Sequence, residues 1–159
     1  MKADTIVGHI GDQQFAGRSR HHVDIGWGDA AKHRQAVTAD TGLAVQITLP
    51  RGAFLRDGAV IADDGTDVVV VRRPAEDAIV VPVADDNARR MLLLGYVLGN
   101  QHAPIDVSED AVAAPLFTSA HAAKELLAEL GVDGDVMVTA LARNGWSRTS
   151  SDSHAGHHH

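Results

Sequence analysis

Apolar and polar residues follow one pattern before residue 76 of this chain and another after it. In the first stretch the alternation has the two-residue period of strands. It shows in His33-Arg34-Gln35-Ala36-Val37-Thr38 and again in Leu43-Ala44-Val45-Gln46-Ile47-Thr48-Leu49, with the hairpin signal Asp40-Thr41-Gly42 between them. Val60-Ile61-Ala62 and Val68-Val69-Val70-Val71 flank a second turn at Asp63-Asp64-Gly65, and Pro50-Arg51-Gly52 and Asp57-Gly58 mark further turns. Short strands, frequent turns and no helical period predict a small β-barrel or sandwich over residues 1–75. Arg72-Arg73-Pro74-Ala75-Glu76-Asp77 reads as a linker.

From residue 76 to 142 the pattern is mixed. Ile79 to Val83 reads as a strand, and Asp85 or Asp86 can cap a helix running to about Leu98. Ile105–Val107 and Ala113–Phe117 are short strands. Ser119 can cap a second helix, with Ala123, Leu126, Leu127 and Leu130 on one face and Gly131 as its stop. Val136 to Leu141 forms the last strand. The order β-α-β-β-α-β is that of a ferredoxin-like domain. Residues 143–159 are Ser, Asp, Arg, Gly and His without a period and read as a disordered tail. The whole is an α+β protein of two domains and a His-rich end.

The first helix holds more information than the second. Met91-Leu92-Leu93-Leu94-Gly95-Tyr96-Val97-Leu98 is apolar almost all round, whereas a helix lying on a sheet needs one apolar stripe. The surplus calls for a second cover. A second copy of the chain is the favoured cover, ahead of burial against the β domain.

Composition narrows the possible chemistry. Aromatic residues are 4% of the 159, so a core drawn from 45% hydrophobic residues rests on Val, Leu, Ile and Ala. The formal net charge of -7 argues against nucleic acid as a partner and suits a protein that gathers cations. The absence of Cys excludes disulfides and thiolate metal ligands. The N-terminus lacks the apolar core of a signal peptide, and no run approaches the ~18 apolar residues of a membrane span. A soluble, cytoplasmic protein without membrane contact is the expectation.

Histidine is then the candidate ligand. His154, His157, His158 and His159 crowd the C-terminal end, and imidazole suits Ni²⁺, Zn²⁺ and Cu²⁺. The run is broken by Ala155-Gly156, unlike an engineered tag, and reads as native. His102 follows Gly99-Asn100-Gln101 and precedes Ala103-Pro104. Gly99 can end the helix in the left-handed conformation, and Pro104 forbids helix beyond. Alone, such a His is more often an ordinary surface residue. Near a two-fold axis it would meet its own copy, so that two imidazoles face one ion. Such a site is incomplete, unlike a closed structural zinc site, and an incomplete site can release its metal.

His121, beside Lys124 and Glu125 on the second helix, is a weaker candidate. His21 and His22 are adjacent, so on a strand they point to opposite faces. His9 and His33 have no companions. Asp63-Asp64 and Asp85-Asp86 sit where turns and helix starts use Asp. No His-Glu-x-x-His, Gly-x-Ser-x-Gly or phosphate-loop motif is present, and no enzymatic activity is expected.

Two segments resemble a known family. Leu49-Pro50-Arg51-Gly52-Ala53-Phe54-Leu55-Arg56-Asp57-Gly58 is similar to the Leu-Pro-Arg-Gly-x-x-Leu-Arg-Asp-Gly-Asp segment of the UreE urease accessory proteins, with Ala59 in place of the last Asp. Leu98-Gly99-Asn100-Gln101-His102-Ala103-Pro104-Ile105 resembles that family's Leu-Gly-Asn-x-His-x-Pro-Leu. The resemblance implies a nickel metallochaperone, a homodimer with an N-terminal β domain and a C-terminal ferredoxin-like metal-binding domain. It implies delivery of Ni²⁺ to apo-urease with the accessory GTPase UreG and the other urease accessory proteins. The family's interface His falls on His102, and its variable C-terminal ligands fall on His154 and His157 to His159. Ser108-Glu109-Asp110-Ala111-Val112 lacks the mid-domain His of some members, and only His121 comes near. The runner-up reading is a peptide-binding or assembly module whose tail binds metal incidentally, with the Val-rich strand and a free sheet edge as the grip.

Overall fold

The computed structural model describes residues 1–101, 103–116 and 118–141. The chain divides into two compact units, one from Met1 to Pro74 and one that begins at Ala75.

The first unit holds seven strands: β1 (Lys2–Ala3), β2 (Gly8–His9), β3 (Ser19–Asp24), β4 (Arg34–Thr38), β5 (Ala44–Thr48), β6 (Ala59–Asp63) and β7 (Asp67–Arg72). They form two open sheets, ordered β1-β5-β4 and β2-β6-β7-β3. The barrel expectation is therefore corrected: neither sheet closes on itself. The two sheets instead share one core. Ala3, Val45 and Ile47 come from the first, and Val23, Ile61, Val69 and Val71 from the second. The β4–β5 hairpin turns where Asp40-Thr41-Gly42 predicts, with Gly42 at φ 86°.

Local patterning missed β1, β2 and β3. β1 and β2 have two residues each, too few to show a period, and β1 and β3 pair in parallel with distant β5 and β7. The alternate side of the second sheet has its own small core of Phe15, Val60, Val68 and Val70, with Ile10 against it.

The linker expectation also contracts. Arg72 ends β7 and Glu76 starts the next strand, so only residues 73–75 connect them. Arg73 is buried, and the segment from Leu49 to Gly58 is built around it. Its guanidinium lies 5.4 Å from the centre of the Phe54 ring, and its Nη1 reaches the Leu55 carbonyl at 3.4 Å. Its backbone N–H donates to Asp57 Oδ1 at 2.9 Å. Leu55 is fully buried and its own N–H donates to the Ala30 carbonyl, while the Gly58 N–H donates to that of Val71. The first family-like segment is thus a scaffold that fastens a loop over the end of β7.

The second unit runs β8 (Glu76–Pro82), α1 (Ala88–Asn100), β9 (Asp106–Val107), β10 (Ala111–Pro115), α2 (Ala120–Leu130) and β11 (Asp135–Thr139). Its sheet is antiparallel in the order β11-β8-β10-β9. Ile79, Val81 and Ala114 pack with Leu94 and Leu98 of α1 and with Ala123 and Leu127 of α2. Ser119 caps α2 as expected, its Oγ accepting from the Ala122 N–H at 3.1 Å, and Gly131 closes it at φ 66°. Two details differ from expectation at α1. Asp85–Asn87 form a short 3₁₀ turn, so neither Asp is the cap of the α-helix. The helix also runs through Gly99 to Asn100, so Gly99 is not its left-handed stop. A single helical Gly costs only about 1 kcal/mol, less than the packing of Leu94 and Leu98 returns.

Two predictions follow from the first unit. At Gly58, φ is 77° and an added Cβ would run into the His9 ring, whereas at Gly52, φ is 83° and the space is open. Gly52→Ala should cost about 1–2 kcal/mol of backbone strain, and Gly58→Ala more. In urea unfolding, His9→Ala placed in the Gly58→Ala chain should recover the excess but not the strain. The second prediction concerns Asp40, which ties the hairpin to β3. Its carboxyl is held below the usual 3.8, first by the His22 backbone N–H at 2.9 Å, then by the His22 ring at 3.2 Å and Arg72 at 4.0 Å, against a desolvation effect that raises it. A lowered carboxyl stabilises the fold above its unfolded value and loses that contribution as pH falls through the folded one. The part of stability that Asp40 contributes should therefore fall away below about pH 4, and Asp40→Asn should flatten that limb of the stability profile.

Candidate metal centre

The sequence-predicted ligands divide by what the structure describes. His102, His154, His157, His158 and His159 lie outside the described residues. The neighbours of His102 are described. Gln101 caps α1, its N–H donating to the Val97 carbonyl at 3.2 Å. Ala103 is buried against the helix–sheet core, and its N–H donates to the Leu98 carbonyl at 3.0 Å. The last turn of α1 thereby has carbonyls that are satisfied.

The same helix has two apolar faces. Leu94 and Leu98 face the sheet and are buried, with Met91 partly buried beside them. Leu92 and Tyr96 stand on the far side, 75% and 68% exposed, with Leu93 at 42%. Four residues separate Leu92 from Tyr96, and Gly99 continues the row one turn on, so these positions make one stripe. An ideal Cβ at Gly95 or Gly99 would meet no atom within 4 Å, so the stripe is also low in relief there.

His121 is on the first turn of α2. Its Nε2 lies 3.1 Å from Glu125 Oε1, one helical turn along, and both side chains are well exposed. Lys124 is paired with Asp135 Oδ1 at 3.3 Å. Sequence reasoning placed Glu125 beside His121 without pairing them, although the i, i+4 spacing carries that information.

The remaining histidines are occupied by the fold. His22 Nδ1 meets Asp40 Oδ2 at 3.2 Å, and His21 meets Thr41 Oγ1 and, at 3.7 Å, Asp67 Oδ1. The His9 ring nitrogen accepts from the Gly11 N–H at 3.1 Å, and His33 Nδ1 contacts the Leu49 carbonyl. Among the described residues no three His, Asp or Glu side chains converge as a metal cluster. No helix among them is long and apolar enough to cross a membrane.

This architecture can be set beside known proteins. A model described as the UreE urease accessory protein, N-terminal domain, matches residues 3–73, and one for the C-terminal domain of the same protein matches residues 76–159. The chain belongs to the UreE family. Among its relatives, a urease accessory protein UreE of Paraburkholderia xenovorans (strain LB400) is 41% identical over 87 residues, covering 54% of this chain and 37% of the relative. That of Burkholderia orbicola (strain AU 1054) is 42% identical over 79 residues, covering 49% of this chain and 37% of the relative. That of Burkholderia thailandensis is 44% identical over 77 residues, covering 48% and 35% respectively. The matched stretch thus spans little more than a third of the length of each relative.

Proposed function

We propose that the chain is a nickel carrier for urease maturation, acting as a chaperone in the cytoplasm and not as an enzyme. It would deliver Ni²⁺ to apo-urease together with UreG and the other accessory proteins. The observation that carries the reading is the match to both UreE domain models, one on each structural unit. We read the second unit as ferredoxin-like on its chain order and on the strand order β11-β8-β10-β9.

In this reading His102 from each of two subunits holds the shared ion, and His154, His157, His158 and His159 capture or exchange it. The exposed stripe of Leu92, Leu93 and Tyr96 supports a homodimer through α1. Charge supports the cargo. The acidic surplus falls in the second unit, where Arg89, Arg90 and Lys124 are the only Lys or Arg among the described residues. That field raises the local concentration of divalent cations around the two helices. A donor set of imidazoles without thiolate binds Ni²⁺, Zn²⁺ and Cu²⁺ alike, with Cu²⁺ ahead of Ni²⁺ in intrinsic affinity. Choice of metal must then come from supply and from the partner that receives it.

Calorimetric titration with nickel tests the site. The unaltered chain should show one tight ion per pair of subunits. His102→Ala should weaken that step by at least about tenfold, equivalent to ~1.4 kcal/mol, and leave weaker sites. Unchanged tight binding in His102→Ala would refute the assignment. Affinity should fall as pH drops through about 6.5, because only neutral imidazole binds the metal. The interface has a separate test. Tyr96→Glu places a charge on the stripe and should give monomers by light scattering at micromolar concentration. A dimer that persists would show that α1 is not the contact.

A further inference from the structure

We propose that one end of the first unit is a docking surface for a carboxylate-rich segment of a partner protein, read by Arg34, Arg51 and Arg56. The proposal goes beyond the carrier reading and is independent of where the ion binds.

The backbone brings the three arginines to one end of the unit. Arg34 opens β4, opposite Thr48 of β5. The next residue of that strand, Leu49, donates its N–H to the His33 carbonyl at 2.9 Å, and Leu55 donates to the Ala30 carbonyl at 2.8 Å. Residues 30–34 and 48–55 therefore run beside one another. Two turns then present the other two side chains. Ala53 N–H closes on the Pro50 carbonyl at 3.2 Å, with Arg51 at the second position and Gly52, at φ 83°, at the third. Ala59 N–H closes on the Arg56 carbonyl at 3.2 Å, with Gly58 at φ 77°. A positive φ at the third position fixes the shape of each turn, and buried Leu55 anchors the chain between them.

Charge is the second argument. Arg34, Arg51 and Arg56 are exposed, and none has a carboxylate within ion-pair distance among the described residues. The carboxylates within these two stretches are committed elsewhere. Asp29 is paired with Lys32, and Asp57 Oδ1 accepts the Arg73 backbone N–H at 2.9 Å. In a chain of net charge -7, this end keeps a cationic surplus that no residue of its own offsets.

The side-chain chemistry selects the occupant. A guanidinium binds a carboxylate through two parallel N–H donors, a match that an ammonium does not make. Half-buried Phe54 lies in the same segment, with Arg73 against its ring at 5.4 Å. Arginine beside an aromatic ring is the composition of protein interfaces, where lysine is depleted. The acidic surplus of the chain repels the continuous polyanion of a nucleic acid. A protein segment that carries a few carboxylates and an apolar contact meets less of that repulsion.

The test uses the full ¹⁵N-labelled chain, kept metal-free with EDTA and titrated by NMR with a synthetic peptide of Glu and Leu residues. Amide shifts should centre on Arg34, Arg51, Ala53 and Arg56, and should fade as NaCl rises from ~50 to ~500 mM. Joint Arg51→Ala and Arg56→Ala replacement should weaken binding at least about tenfold, with the urea midpoint unchanged. Arg20→Ala, which removes an exposed cation on β3, should leave binding as it was. Shifts centred elsewhere, or none, would overturn the proposal. An equal loss in Arg20→Ala would also overturn it, by reducing the effect to general charge attraction. Tighter binding of a single-stranded thymidine oligonucleotide at the same amides would make nucleic acid the occupant and overturn it as well. Nickel titration of the doubly replaced chain should match that of the unaltered one, so failure of the docking surface leaves the carrier reading standing.

Discussion

The first unit depends on β7 being buried on both faces. Val68, Val69, Val70 and Val71 are all within 2% of complete burial, although neighbouring residues in a strand point to opposite sides. Each buried Val is worth about 1.5–3 kcal/mol relative to exposure, so both faces need a cover. Val69 and Val71 obtain theirs from the core shared with the β1-β5-β4 sheet, and Val68 and Val70 from Phe15 and Ile10. The flanks are filled by β6 on one side and by β3, in parallel, on the other. Where the run of valines ends, the next buried residue is Arg73. Burying a charged side chain is costly unless other groups compensate for the lost water. Phe54, the Leu55 carbonyl and Asp57 gather at that residue, so the Leu49–Gly58 segment is as much a consequence of the end of β7 as a family signature.

What could be read from the residues follows the range of the interactions. The β4–β5 hairpin, the β6–β7 pair, the Ser119 cap and the Gly131 stop are local, and each has its signal within a few residues. The parallel pairings of β1 with β5 and β3 with β7 link positions more than forty residues apart, and no periodicity encodes them. Asp40 reads as a turn residue, which it is. Its second task, joining the hairpin to His22 and Arg72, exists only once the sheets are assembled. For the candidate site, the apolar surplus of α1 was legible because it is a helical-period property. The His121–Glu125 pair was legible in spacing but needed the helix boundaries to make it a distance.

The two helices of the second unit show what the surplus means. Both lie on one sheet. On α2 the apolar positions Ala123, Leu126, Leu127 and Leu130 make one stripe, and its two deepest members are fully covered. On α1, Leu94 and Leu98 are covered in the same way, yet Leu92 and Tyr96 remain open. Packing on the sheet explains all of α2 and half of α1. An apolar row left in water is a standing cost and an aggregation hazard unless something covers it. The self-association we propose would cover it in a closed, two-fold manner. It would also bring two copies of each residue near the axis, which is the step by which one imidazole per chain becomes a pair.

Ligand chemistry then links capture to release. A carrier must bind its ion tightly enough to collect it and loosely enough to surrender it. Closed four-ligand sites satisfy the first demand and fail the second. Without cysteine, this chain has imidazole and carboxylate to work with, both readily displaced by protons or by a better ligand set. On the carrier reading we propose, the acidic character of the second unit would compensate for part of what each site lacks. A field of fixed carboxylates holds a population of cations near the surface without fixing any one of them. Weak, graded sites on such a surface would let an ion move toward the strongest acceptor by exchange and not by full dissociation into water. The direction of transfer would then be decided by the receiving protein, whose site need only be better than the last imidazole it displaces.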